Sequence, residues 1–494
     1  MPDTRLNLLR PSRPGRVGLL AASLIVLSGC MTVGPDYSAP DIEAPIDWSQ
    51  SLPIGVSAAP VDTAALGTWW TQFKDPQLDL LIEEAVQGSL NLKTADARLR
   101  EARARRSIAT SQRFPTVGAK ASRTDASELL YYEGNAASGS YYEAGFDATW
   151  EADLFGGVRR QIEQADAGVM QAEEVYRDVL VSLIAEVAIN YTEIRLFQER
   201  IRVTQSNEET QRRSLQLVEQ SFEAGEVARF DVDRARLNLD MTRAQLPKLQ
   251  TGLEQSLNRL AILLGKPPGT LHSDLEDVKS IPTAPPEIAV GVPAAALRRR
   301  PDVRAAERNL AAQTAAIGVA TADLYPHLSM SGTIGIESID AGAPFTYSTG
   351  LFGLSPSMKW LVFDAGAVRQ NIEIQSIRQE QALVSYESAV LRALNDVENA
   401  LTSYREEQVR QAILQDAERS ATSALEIANQ QYAAGEIDYL IVLDAQRAVL
   451  SIQDQLAVNR AAITTSAISL FKALGGGWSS LAPLETAPAQ PSSQ

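Results

Sequence analysis

The chain has 494 residues, too many for one ordinary core, and with 45% hydrophobic and 21% charged residues it has the composition of an ordered protein. Acidic residues outnumber basic ones by 61 to 45, and the net charge of -16 argues against a nucleic-acid partner bound through its phosphates. The only histidines are His272 and His327 and the only cysteine is Cys30, which excludes a disulfide framework, a Cys/His zinc site and a Cys-His catalytic pair. We therefore expect the protein to act through its shape.

The first thirty residues predict a targeting segment. Arginines precede a largely apolar run at residues 17–27, which is too short to span a bilayer, and the pattern is that of a secretory signal peptide over residues 1–29. The ending Leu27-Ser28-Gly29-Cys30 resembles the bacterial lipobox, which implies that Cys30 becomes the first mature residue and carries covalent lipid such as palmitate. Met31 follows instead of an aspartate, and by the same resemblance this sorts a lipoprotein to the outer membrane. A buried free cysteine is the alternative interpretation.

The body of the chain contains an internal repeat of two similar copies. Arg113-Phe114-Pro115 matches Leu324-Tyr325-Pro326 at an offset of 211 residues, and Trp150 matches Trp360 at an offset of 210. Such a repeat predicts a pseudo-symmetric structure in which each copy buries its faces against its sibling or against other subunits.

The repeat sets the predicted domain organisation. Each copy has the pattern of a helix, two strands and two further helices, and the segment between the copies is rich in proline. The predicted parts are a signal peptide (1–29), a lipidated extended segment (30–65), a first repeat (66–265), a connector (266–293), a second repeat (294–474) and a disordered C-terminal tail (475–494).

Each copy also predicts one very long helix. Residues 367–434 contain neither glycine nor proline, and at a rise of about 1.5 Å per residue they would form a helix of roughly 100 Å. In the first copy, apolar residues step by three and four through residues 162–183, which is a heptad seam for packing against other long helices. Gly225 and Gly435 would end these helices as C-caps. Returning helices are predicted at about 231–264 and 440–474.

The segments that follow Pro115 and Pro326 have a period of two. Tyr142, Phe146 and Trp150 alternate with polar residues, and this pattern predicts strands with one apolar face. Four strands of about ten residues suit an outer membrane but are too few to close a barrel, and open edges are not tolerated in lipid. Either the hairpins rest on a soluble core, or several chains share one barrel.

Four short motifs stand in order along the mature chain. They are Val33-Gly34-Pro35-Asp36-Tyr37, Trp69-Trp70-x-x-Phe73-x-Asp75-x-x-Leu78, Arg298-Arg299-Arg300-Pro301-Asp302-Val303 and Leu443-Asp444-Ala445-Gln446-Arg447. With the repeat and the strands, they make the chain resemble the outer membrane factor family of TolC-like export ducts, and within it the lipoproteins of pump-linked efflux systems. The resemblance implies a mixed, mostly α fold in which a long-helix α-barrel continues into a transmembrane β-barrel, with four strands per chain and twelve per homotrimer.

The resemblance also implies a function. The chain would be a passive trimeric exit duct for small molecules, lipid-anchored in the cell outer membrane and extending into the periplasm. Its partners would be a periplasmic adaptor (membrane fusion) protein, an inner membrane pump and outer membrane lipid, and beyond the lipid on Cys30 it would need no cofactor and no metal.

Four residues are assigned to a periplasmic gate by the same resemblance. Leu440 and Asp444 match the constriction on the three-fold axis, where Leu440 would form a hydrophobic ring. Three Asp444 carboxylates facing one another would repel, raise one another's proton affinity and favour cations. Asp231 matches an aspartate that is tied in the family to the tyrosine matched by Tyr432, which holds the helix tips shut.

This gate departs from the family pattern at two positions. Ile437 replaces an arginine and Ile441 replaces a second constriction aspartate, so the lock would be weaker or differently built. A simpler interpretation of Asp231 and Asp444 is an acid in the first turn of a helix, which the helix dipole favours, and both interpretations can hold.

Three other functions remain open. An enzyme would need a nucleophile near His272 or His327, and since neither has one in evident company we expect no catalytic residue. A lipid-anchored periplasmic coiled-coil adaptor should lack the strands. The outer membrane component of a type I protein secretion system is closer, but the lipobox and the Val33–Tyr37 motif favour pump-linked efflux.

Overall fold

The computed structural model describes residues 32–41, 44–49, 51–132, 135–338 and 350–478. The predicted signal peptide, Cys30 and residues 479–494 lie outside these ranges. The chain divides into two compact units. One unit comprises Met1–Pro40, Arg100–Met170 and Glu307–Ser385, and the other Asp41–Leu99, Gln171–Ala306 and Tyr386–Gln494.

Helices dominate the described residues. In chain order they are α1 (Thr63–Gly67), α2 (Pro76–Gly88), α3 (Leu90–Ser111), α4 (Gly157–Glu223), α5 (Arg229–Arg243), α6 (Leu246–Leu263), α7 (Pro293–Arg299), α8 (Pro301–Ala322), α9 (Ala367–Ala433) and α10 (Tyr439–Ala473), with a 3₁₀ turn at Trp69–Phe73. The long helix predicted for residues 367–434 is confirmed by α9, and α4 is its counterpart in the first copy.

The strands among the described residues form two sheets. They are β1 (Val56–Ser57), β2 (Thr116–Tyr132), β3 (Asn135–Ala152), β4 (Ile288–Ala289), β5 (His327–Ser338) and β6 (Gly350–Lys359). The first unit holds an antiparallel sheet in the order β2-β3-β5-β6, which confirms the strands predicted from the period-two pattern. In the second unit β1 pairs with β4 in parallel, so the predicted connector contributes one short strand.

Two tryptophans hold the turns where a helix gives way to a strand in the first unit. The Trp150 indole Nε1–H donates to the Arg113 carbonyl at 2.9 Å, and the Trp360 indole donates to the Leu324 carbonyl at 3.1 Å. The donors are 210 residues apart and the acceptors 211. The two copies therefore share equivalent hydrogen bonds as well as the same order of helices and strands.

The second unit has a large apolar core around the motif that begins at Trp69. The Trp69 ring stacks on Phe471 with centroids 5.2 Å apart, and Leu78 and Ile82 on α2 are almost completely buried. Burial of this apolar surface is the main force that holds the surrounding helices together.

The prediction of one returning helix over 231–264 is wrong. The structure has two helices, α5 and α6, separated by a turn at Ala244 and Gln245. Pro247 lies in the first turn of α6, where its missing N–H is tolerated, whereas inside a continuous helix it would remove a hydrogen bond. The counterpart helix α10 contains no proline and is unbroken.

The prediction of a disordered tail from residue 475 is wrong for its first residues. Gly475, Gly476 and Gly477 are buried, and the Gly477 N–H donates to the Leu66 carbonyl at 3.1 Å. The Trp478 ring lies 4.8 Å from the Arg177 guanidinium. Three glycines let the backbone approach the core where a side chain would not fit, which composition alone did not reveal.

Candidate functional site

The two long helices end in the same way, in the second unit. Gly225 has a φ of +79° and Gly435 a φ of +75°. The Gly225 N–H donates to the Phe222 carbonyl at 2.9 Å, and the next N–H, of Glu226, donates to the Ser221 carbonyl at 2.9 Å. The same two bonds recur at Gly435. This is a Schellman motif, and it places the two predicted helix-tip turns at chain reversals that favour glycine.

An apolar cluster holds the four helix ends near these turns together. Val218 on α4 and Val232 on α5 are buried, as are Val442 and Leu443 on α10. Tyr439 belongs to this cluster and Tyr432 packs against it, with the two ring centroids 5.2 Å apart. The tips are thus packed through their apolar faces within one chain.

Asp231 serves as a helix cap in this structure. It lies at the third position of α5, and its Oδ2 accepts a hydrogen bond of 3.3 Å from the Ala228 N–H. Burial, and then the charges of Asp231 and Glu226, raise the pKa of Tyr432. The structure therefore brings Asp231 and Tyr432 into electrostatic range, but within the described ranges no hydrogen bond joins them. The tie implied by the family resemblance is not formed as a direct bond here.

The predicted constriction residues share one face of α10. Leu440 is 38% and Ile441 50% exposed, and the Asp444 side chain is 64% exposed, whereas Val442 and Leu443 on the opposite face are buried. One chain contributes a single copy of Leu440 and of Asp444, so a ring of either side chain requires other subunits.

Sequence reasoning missed the partner of Asp444. The Arg447 Nη1 lies 3.7 Å from the Asp444 Oδ1, and the Arg447 Nε–H donates to the Asn238 Oδ1 at 2.9 Å. The spacing of three residues along a helix, an acid followed by a base, could have indicated this pair. The acid predicted to face the axis therefore has a basic neighbour one turn away on its own helix.

The first unit contains a seat for the motif that follows the predicted lipidation site. The Arg160 side chain on α4 is only 4% exposed. Its Nε–H donates to the Val33 carbonyl at 3.0 Å, and its Nη2 donates to the Gly34 carbonyl at 3.3 Å and to the Asp36 carboxylate at 2.6 Å. Its Nη1 donates to Glu163 at 2.7 Å. One guanidinium therefore binds two backbone carbonyls and one carboxylate of the N-terminal segment.

Close contacts complete this seat. Gly34 has a φ of +86°, and a Cβ at this position would overlap the Gly318 Cα on α8. The Tyr37 hydroxyl donates to the Glu307 carboxylate at 2.9 Å, and the Tyr37 ring packs on Ala311 and Ala312. Arg160 and Glu307 were not identified from the sequence because their partners lie more than a hundred residues away.

Both histidines are held by oxygen acceptors. The His272 Nδ1 lies 2.8 Å from the Gly269 carbonyl and its Nε2 lies 2.8 Å from Glu254, and these two hydrogen bonds raise the pKa of His272. The His327 Nδ1 lies 2.7 Å from the Glu151 carboxylate. Among the described residues, no three His, Cys, Asp or Glu side chains are grouped as they would be to hold a metal ion.

None of the helices in the described part of the chain combines the length and the apolar character needed to cross a membrane.

Comparison with known proteins identifies the family. The model of the family described as outer membrane efflux protein matches residues 81–266 and again residues 292–476. The chain belongs to the outer membrane efflux protein family. The two matched blocks correspond to the two internal copies, and membership places the protein in the outer membrane.

Relatives agree over almost the whole chain. Nodulation protein T of Rhizobium leguminosarum bv. trifolii is 31% identical over 442 residues, covering 88% of this chain and 91% of its own. The solvent efflux pump outer membrane protein SrpC of Pseudomonas putida is 31% identical over 466 residues, covering 92% and 97%. The solved structure of the outer-membrane channel OprN matches with a TM-score of 0.84 at 37% identity, covering 90% of this chain and 99% of that one.

Proposed function

We propose that this protein is the outer membrane channel subunit of a tripartite efflux system, and that three copies form a passive exit duct for small molecules. The proposal rests chiefly on the sheet of the first unit. That sheet has four strands, and β2 and β6 are its outer members in the described part of the chain. Since the protein belongs to an outer membrane family, these edges need partners, because lipid offers backbone groups no hydrogen bonds.

The surface of the sheet supports a lipid environment. Val117 on β2 is 69% exposed, and Phe352 and Met358 on β6 are 81% and 70% exposed. A water-facing sheet would carry polar residues at such positions, whereas an outward apolar band is typical of outer-membrane strands. The covalent lipid proposed for Cys30 would add an anchor close to the segment Val33–Tyr37, which Arg160 and Glu307 hold in place.

We infer that the subunit is a channel rather than an enzyme, and that the transport energy comes from an inner membrane pump linked through a periplasmic adaptor. Relatives named as outer membrane proteins of solvent and toluene efflux pumps support this inference. They favour pump-linked efflux over protein secretion. The chain's own part is a conduit whose tips open when the partners engage.

The exposed face of α10 is the proposed gate. In a trimer, three copies of Leu440 and Asp444 would face one another across the axis. The capped α5 and the apolar cluster keep each tip closed, and Arg447 limits the repulsion between the Asp444 carboxylates. Loosening the cap or removing the charge would change the size or selectivity of the opening.

The channel proposal is tested by two measurements on the purified, detergent-solubilised protein. Native mass measurement should give three chains per particle, and planar bilayers should show discrete conductance steps. Asp231→Ala and Asp444→Ala should each raise the single-channel conductance. Asp233→Ala is the matched control, because Asp233 lies on α5 but pairs only locally with Arg229 at 3.1 Å. A trimer whose conductance is the same in all three variants would remove the gate assignment, and a monomer would remove the duct.

The anchor has a separate test. Cells expressing the protein are labelled with a palmitate analogue, and the Cys30→Ser variant should lose the label completely. Retention of the label in this variant would contradict the lipidation site.

A further inference from the structure

The internal repeat extends to the pairing of individual strand residues. Thr116 on β2 pairs with Thr149 on β3. The residues 211 and 210 positions later, His327 on β5 and Lys359 on β6, pair with each other in the second copy. The next pair obeys the same rule, since Val117 with Ala148 becomes Leu328 with Met358. The offsets found in the sequence therefore reproduce the hairpin register of one copy in the other.

A different ladder joins the two copies. β3 of the first copy pairs antiparallel with β5 of the second, and Ala148 lies opposite Gly332. The counterpart of β3 in the second copy is β6, and the counterpart of β2 is β5. Moving the β3–β5 pair forward by one copy therefore gives a pair between β6 and the β2 of the next copy. Ala148 becomes Met358, and Gly332 becomes Ala121 of that following copy.

We infer that β6 of one subunit pairs antiparallel with β2 of the next, in the register that sets Met358 opposite Ala121 and Ser357 opposite Ser122. This inference rests on the proposed trimer and deepens it, because it specifies the contact that closes the barrel. The partner is a second copy of this chain. Pairing in this register makes the junction between subunits a near repetition of the β3–β5 junction within each subunit.

The residues at this junction are compatible with the register. Met358 is 70% exposed in the single chain, and it would lie beside the small side chain of Ala121. Lys359 would lie opposite Lys120, and directly opposed like charges are unfavourable. However, the Lys120 Nζ lies 2.6 Å from the Glu143 carboxylate of its own chain. This negative charge would reduce the repulsion between the two lysines.

Disulfide formation between engineered cysteines tests the register. The Met358→Cys/Ala121→Cys and Ser357→Cys/Ser122→Cys variants are oxidised in outer membranes with copper phenanthroline and run on denaturing gels without reductant. Successive pairs in an antiparallel ladder alternate between closer and wider Cα separations. We therefore expect at least one of the two variants to shift from monomer to covalent trimer, with reversal by reductant.

The matched control moves one cysteine along the same face. Met358→Cys/Val117→Cys places the partner four residues away, about 13 Å along the strand, and should stay monomeric on the gel. Each single-cysteine variant controls for Cys30, the only native cysteine.

The outcomes separate this inference from the proposed function. Covalent trimer in the control, but in neither inferred pair, would show that the subunits meet in a slipped register, and the inference would be overturned while the trimer stands. Absence of cross-linking in every variant of a protein that is trimeric by native mass would also overturn it. A monomer by native mass would overturn both.

Discussion

The Tyr191 hydroxyl donates a hydrogen bond of 2.7 Å to the Asp75 carboxylate, deep in the core of the second unit. The other oxygen of Asp75 accepts hydrogen bonds from the Gln77 and Leu78 N–H groups and so caps α2. Tyr191 lies on α4 and has no exposed surface. One carboxylate thus starts a helix of the Trp69 motif and ties it to the long helix of the first copy.

We expect Tyr191→Phe to lower stability by roughly 1–3 kcal/mol, because the partly buried Asp75 carboxylate would lose the hydrogen bond from the buried Tyr191 hydroxyl. The midpoint of heat unfolding in detergent, followed by circular dichroism, measures this change. Tyr176→Phe is the matched control on the same helix, since the Tyr176 hydroxyl has no hydrogen-bond partner among the described residues and its loss should have little effect. Equal midpoints for the two variants would show that the Tyr191–Asp75 bond contributes nothing.

Arg160→Lys should release the segment that follows the predicted lipidation site. Lysine has no planar fork with which to reach the Val33 and Gly34 carbonyls together, so two carbonyl oxygens would lose their donor. We expect a loss of roughly 2–4 kcal/mol in the free energy of docking that segment. Limited proteolysis followed by N-terminal sequencing should find new cleavage between residues 33 and 41. Asp36→Asn should remain resistant, since the Asp36 side chain is 92% exposed. Cleavage at the same rate in both variants would contradict the role of Arg160.

Gly34→Ala should disturb the same seat from the opposite side. The φ of +86° is unfavourable for alanine, and its Cβ would meet the Gly318 backbone, which cannot move aside as a flexible side chain could. We expect a cost of roughly 1–3 kcal/mol and the same proteolytic pattern as for Arg160→Lys. Gly168→Ala on α4 is the control, because nothing among the described residues lies within 4 Å of the position its Cβ would occupy, and alanine favours a helix. Resistance of Gly34→Ala to protease would show that the glycine contact is dispensable.

Alkaline pH should loosen the helix tips through Tyr439. Burial, opposed by a hydrogen bond with Ser214, raises the pKa of Tyr439 from 10.0 to about 12. Because the folded-state pKa is raised, the neutral phenol contributes stability that is complete below pH 10 and is lost as the pH rises through about 12. The tyrosinate absorbance of the native protein minus that of Tyr439→Phe should rise near pH 12. A difference that rises near pH 10 would show that Tyr439 is not buried at the tip.

Much of the fold could be predicted from the sequence because it depends on local periodicity. The stretch without glycine or proline predicted α9, and the period-two segments predicted the sheet. The break before α6 also had a local cause in Pro247, and the prediction of an unbroken helix overlooked it. The pairing of Asp444 with Arg447 was equally readable from helical spacing.

Other features could not be predicted because they join residues that are distant along the chain. Arg160 is one of two arginines near the start of α4, and only the folded chain shows that it binds the segment at Val33. The burial of Gly475 to Gly477 depends in the same way on Leu66 and Trp69. Leu440 and Asp444 are exposed on α10, but whether they line an axis depends on contacts that one chain does not contain.

The turn at Ala244 and Gln245 has a consequence for assembly. It interrupts the returning helix of the first copy, whereas α10 of the second copy is continuous. Three chains would therefore present six helical hairpins of two alternating kinds. In one kind the returning helix is interrupted, and in the other it is continuous. If the subunits assemble as proposed, identical partner molecules bound at successive hairpins would meet two different surfaces in alternation.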